Sequence, residues 1–94
     1  MTITTREWDT SEYLDTPEVI HEYLKAAIEE GDIELMITAI GNVAKAKGMT
    51  EIAKQTNMNR QNLYKAFSPN GSPKFETVVK VLHAFNFKLT VEPI

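Results

Sequence analysis

Six side chains able to hydrogen-bond base edges or phosphates crowd into one short stretch: Asn59, Arg60, Gln61, Asn62, Tyr64 and Lys65. Asn and Gln match adenine edges, Arg and Lys match guanine edges and phosphates, and a Tyr hydroxyl reaches phosphate or sugar when it is not needed for packing. The surrounding apolar residues Ile52, Ala53, Met58, Leu63 and Phe67 are spaced to close a small shared core between two short helices. Ala53 is small enough to let those helices cross closely. Asn57 falls where the chain must bend back, and Asn tolerates the left-handed conformation better than other non-glycine residues. Asn59 is placed to cap the second helix. The pattern predicts a helix-turn-helix over residues 50–67, with Asn59–Phe67 as its recognition helix. Lys54 adds a cation on the first helix.

The charge distribution agrees with this reading once it is divided along the chain. Residues 1–34 carry ten acidic against two basic side chains, a net −8, while residues 35–94 carry eight basic against three acidic, a net +5. A phosphate backbone is attracted to the second part and repelled by the first. The bland alternative is a solvated acidic face.

With 94 residues and 43% hydrophobic content, the chain is expected to form one small domain with a single core. The absence of cysteine excludes a disulfide scaffold, a Cys-ligated zinc site and a thiol nucleophile. No apolar run approaches the roughly 18 residues of a membrane span. The first residues lack the basic and apolar regions of a signal peptide, so a cytoplasmic address is expected.

The elements that position the recognition residues are read in order. Residues 1–16 form an arm without helical period, in which Trp8 either folds back onto the domain or anchors a partner. Thr16-Pro17-Glu18 is a helix start. The helix running to about Glu30 lines up Ile20, Tyr23, Leu24, Ala27 and Ile28, and Gly31 ends it. Asp32 caps a second helix, to about Lys47, that buries Leu35, Met36, Ala39, Ile40, Val43 and Ala44 before Gly48. Thr50 is the expected N-cap of the next helix. After the motif, Ser68–Pro73 reads as a surface loop and Lys74–Phe85 as a last helix with Phe75, Val78, Val79, Leu82 and Phe85 inward, ended by Asn86. Phe87, Leu89 and Val91 alternate with polar residues, which predicts a short strand over 87–94. Its partner would be a second copy of the chain or Thr2–Thr5. The expected architecture is all-α, with five helices over 17–86 and a C-terminal β-strand.

An enzyme site cannot be assembled. His21 and His83 lie on separate helices, no calcium-loop spacing occurs among the acids, and there is no glycine-rich phosphate loop or nucleophile elbow. The expectation is a non-catalytic protein without metal or cofactor.

Several runs of residues resemble the HigA-like addiction-module antidote proteins, within the Cro/lambda-repressor class of helix-turn-helix domains. They are Gly48-Met49-Thr50, Ile52-Ala53-Lys54, Arg60 to Ala66, Ser68-Pro69-Asn70-Gly71, Pro73-Lys74-Phe75, Val81-Leu82 and Lys88 to Val91, with an opening Trp8-Asp9, Tyr13-Leu14 and Pro17-Glu18. Asn62 to Ala66 followed by the Ser68–Gly71 loop is the most specific part. Two positions depart from the class: Asn57 stands where Gly is usual in the turn, and Asn59 where Ser is usual at the cap.

The resemblance implies an antitoxin that neutralises a small basic RelE/ParE-like toxin by direct binding and represses their shared operon as a homodimer on double-stranded operator DNA. It places Asn59, Arg60, Gln61, Asn62 and Lys65 at base edges, and Thr50 and Lys54 nearer phosphate. A stand-alone phage-type repressor shares the DNA mechanism without the toxin. An adaptor that has lost DNA binding is the third reading.

Overall fold

The computed structural model describes residues 14–94, which form five helices: α1 (Pro17–Glu29), α2 (Ile33–Lys47), α3 (Met49–Thr56), α4 (Arg60–Ala66) and α5 (Phe75–Ala84). Each long helix begins where its capping chemistry demands. The Thr16 hydroxyl accepts from the Val19 N–H at 3.2 Å, with Pro17 supplying the preset first residue of α1. Asp32 Oδ1 accepts from Glu34 N at 3.0 Å and Leu35 N at 3.3 Å to start α2.

α1 packs on α2, α3 packs on α2, α4 and α5, and α2 also meets α5. Val43 of α2, Ile52 of α3, Leu63 of α4 and Val81 of α5 are the largest fully buried side chains, so one core joins those four helices. Ile20, Leu24 and Ala27 attach α1 to it, and Leu14 is buried with them. The 14–16 segment is thereby part of the folded domain: Leu14 lies in its core and Thr16 caps its first helix.

Four expectations are corrected. No strand occurs among the described residues, and 87–94 has no regular structure. Phe87 donates its N–H to the Leu82 carbonyl at 3.0 Å and is half-buried, but Leu89 and Val91 lie exposed. Alternation describes a surface that fits a sheet; it does not supply the neighbouring strand whose backbone must pair with it. Trp8 and Thr2–Thr5 fall outside the described residues.

Second, Thr50 does not cap α3. Gly48 alone joins α2 to α3, with φ 105°. Its N–H closes α2 on Ala44 O at 2.9 Å, and its carbonyl accepts from Ile52 N at 3.0 Å. With one residue serving both helix ends, Met49 is already helical and Thr50 sits in the first turn.

Third, Phe75 is 73% exposed, and Val81 takes the buried place on α5. Phe75 lies on the expected stripe but is the first residue of α5, at the helix end and uncovered. Fourth, the apolar stripes of α1 and α2 also stop short: Ile28 and Leu35, expected inward, are exposed, and Met36 is only half-buried.

Candidate functional site

α3 and α4 are joined by Asn57, Met58 and Asn59, and each of these residues has a distinct role. Asn57 adopts φ 58° and ψ 42°. Its N–H reaches Lys54 O at 3.2 Å, and the Met58 N–H reaches Ala53 O at 2.9 Å. This is a Schellman ending, in which a left-handed residue lets two orphan carbonyls find donors. Asn59 then returns to extended backbone, and its Oδ1 accepts from Gln61 N at 2.7 Å and Asn62 N at 3.2 Å. The Asn59 oxygen therefore serves the helix, and Nδ2 is the donor group the side chain has left.

The two helices hold together through Ile52, Ala53, Leu63 and Phe67, all buried, with Met58 half-buried beside them. Thr56, the one buried polar residue among those described, donates its hydroxyl to Ile52 O at 2.7 Å. With Leu63 facing the core, Asn59, Arg60, Gln61, Asn62, Tyr64 and Lys65 are all left exposed on α4 and its cap, and Thr50 and Lys54 are exposed on α3. All eight expected contact residues are thus solvent-facing on one helix pair. No Asp or Glu occurs between Ile52 and Phe75.

Two further exposed polar residues of α3, Glu51 and Gln55, were not singled out by the sequence. Gln55 donates Nε2 to Glu51 Oε2 at 3.0 Å, one turn apart. Their i, i+4 spacing was the available signal. A cleft of about 330 Å³ opens between α2 and the far end of α4, with Lys45, Tyr64, Phe67 and Ser68 in its wall. The Ser68 hydroxyl donates to Lys65 O at 2.8 Å, and Gly71 N donates to Ser68 O at 2.8 Å, so the loop closes over the last turn of α4.

Glu18, Glu22, Glu29, Glu30, Asp32 and Glu34 are exposed on α1 and around the start of α2. His21 sits 3.7 Å from Glu22 at the surface, and His83 is exposed on α5. Among the described residues no group of three or more His, Asp or Glu is arranged to hold a metal ion. No described helix is long and apolar enough to cross a membrane.

The family model for the "probable addiction module antidote protein" matches residues 4–93 of the chain. The chain belongs to that antidote family. A protein of Haemophilus influenzae described as uncharacterized is 39% identical over 92 residues, covering 98% of this antidote-family chain and 95% of its own length. No solved structure matches. Membership of an antidote family implies a toxin partner of some kind.

Proposed function

We propose that this antidote-family protein is the antitoxin of a type II module, binding operator DNA as a homodimer through α3 and α4 and neutralising a RelE/ParE-like toxin by direct contact. The observation that carries the DNA half is the composition of the α4 surface. Every exposed side chain from Asn59 to Lys65 is a hydrogen-bonding group, three of the exposed residues on the helix pair are cations (Lys54, Arg60, Lys65), and the acid-free run from Ile52 to Phe75 surrounds them. A helix of this length, about 10 Å at 1.5 Å per residue, enters a major groove about 12 Å wide with its first turn against the bases. On this reading α3 and α4 act as a helix-turn-helix.

The toxin half rests on family membership, with the exposed acids of α1 as a complementary surface for a cationic protein. Ile20, Leu24 and Ala27 are core residues, so removing residues 1–34 would unfold the domain. Charge reversal at exposed Glu22 and Glu29 tests that surface without touching the core.

The deciding measurement is equilibrium binding to duplex DNA from upstream of the gene, against scrambled duplex. Arg60→Ala is expected to cost about 1–3 kcal/mol on the operator, and Lys54→Ala to weaken all sequences alike while lowering the salt slope by about 1. Equal affinity for operator and scrambled DNA would end the repressor reading. Co-expression with the neighbouring reading frame tests the toxin reading: no complex and no relief of growth arrest would leave a stand-alone repressor.

A further inference from the structure

Arg60 and Tyr64 are one helical turn apart on the exposed face of α4, and the Arg60 guanidinium carbon lies 5.1 Å from the centroid of the Tyr64 ring. That is within the range of a cation–π contact, in which the ring's negative face attracts the cation. The two residues differ in how firmly they are held. Arg60 is the first residue of α4 and exposed, with a long side chain that has much rotamer freedom to lose. Tyr64 has two side-chain torsions and lies in the wall of the α2–α4 cleft together with Phe67, Met49 and Pro69. The ring is the stiffer partner.

We infer that Tyr64 is a positioning residue: its ring, not its hydroxyl, holds the Arg60 guanidinium in a fixed plane for recognition of a base edge. This rests on the DNA-binding reading above and refines it. A guanidinium reads guanine through two parallel N–H donors, so its orientation decides whether both bonds form. A ring beneath it restricts that plane before DNA arrives, which lowers the ordering cost of binding. The same geometry assigns Tyr64 a role distinct from the phosphate or sugar contact its hydroxyl suggests.

The test uses the full chain, duplex selected from random sequence by the wild-type protein, and the variants Tyr64→Phe, Tyr64→Leu and Arg60→Ala, with Tyr64→Leu also made in the Arg60→Ala background. Folding of each is checked by circular dichroism. Tyr64→Phe keeps the ring and is expected to bind as wild type. Tyr64→Leu keeps apolar bulk and is expected to weaken binding to the selected duplex about two- to fivefold, the weight of an exposed cation–π pair. In the Arg60→Ala background Tyr64→Leu is expected to change nothing, because the residue it serves is gone. In the free protein, the Arg60 side-chain protons should show ring-current shifts in wild type and Tyr64→Phe that vanish in Tyr64→Leu.

A loss of binding in Tyr64→Phe would assign the role to the hydroxyl and overturn the inference. Additive losses from Tyr64→Leu and Arg60→Ala would make Tyr64 an independent contact and overturn it equally. Failure of the wild type to select any duplex would instead remove the DNA-binding reading, a result separable from the free-protein shifts.

Discussion

Gly71 lies so close beneath Ala66 that a Cβ built on it would overlap the Ala66 carbonyl oxygen, and that of Lys65 as well. The obstacle is backbone, at the last turn of α4, so no side-chain rotation relieves it. Together with the Ser68 hydroxyl on Lys65 O, this close approach fixes where α4 stops and where the chain departs for α5. Gly71→Ala should therefore push the loop off the helix, at a cost of about 1–3 kcal/mol typical of overpacking. Chemical denaturation measures it. An unchanged midpoint would show that the loop moves freely and does not hold α4.

Leu63 connects the exposed polar face of α4 to the core. It is the buried residue of a seven-residue helix, and a helix so short has almost no stability of its own. Leu63→Ala should cost about 2–5 kcal/mol, a large part of a small domain's stability. A melting temperature within a degree or two of wild type would refute the packing described.

Asn59 caps α4 and, on the proposed reading, also faces DNA. Asn59→Ala should lose about 1 kcal/mol of stability with the cap. Asn59→Asp keeps an acceptor at the helix start, where a negative charge also suits the dipole, so its stability should equal or exceed wild type. The added charge should nonetheless weaken DNA binding. For Asn59→Asp, affinity from titration should therefore fall while stability from denaturation does not; an affinity equal to wild type would argue against an interface at this helix end.

On α5 the structure reverses an assignment made from periodicity alone. Phe75→Ser, at an exposed position, should shift stability by no more than about 0.5 kcal/mol. Val81→Ala removes buried methyl groups and should cost about 1–3 kcal/mol. Equal effects in paired denaturation curves would contradict the burial pattern.

The sequence alone determined the features whose physics is local. Thr16 and Asp32 as caps, Asn57 as the left-handed residue and Asn59 as the start of α4 follow from side chains that satisfy backbone groups two or three residues away, and the structure bears out each. Helical periodicity likewise identified Leu63, Ile52 and Val43 as inward residues. Of the eight candidate contact residues, Asn59 to Asn62, Tyr64 and Lys65 were singled out as polar residues on the side of α4 away from Leu63, Lys54 as a cation on the preceding helix, and Thr50 through the family resemblance; all eight are exposed.

Tertiary structure decided what depends on a neighbour. Whether Phe75, Ile28 and Leu35 are covered depends on how far the opposing helix extends, which no period encodes. Whether residues 87–94 form a strand depends on a pairing partner, and the described residues provide none. That Gly48 serves two helices at once, which puts Thr50 in the first turn of α3 and not at its cap, depends on the helices meeting at a single residue. The contact of the Arg60 guanidinium with the Tyr64 ring needs two rotamers as well as an i, i+4 spacing. Local hydrogen bonding is written in the chain itself, whereas burial and strand pairing belong to pairs of surfaces and exist only once those surfaces meet.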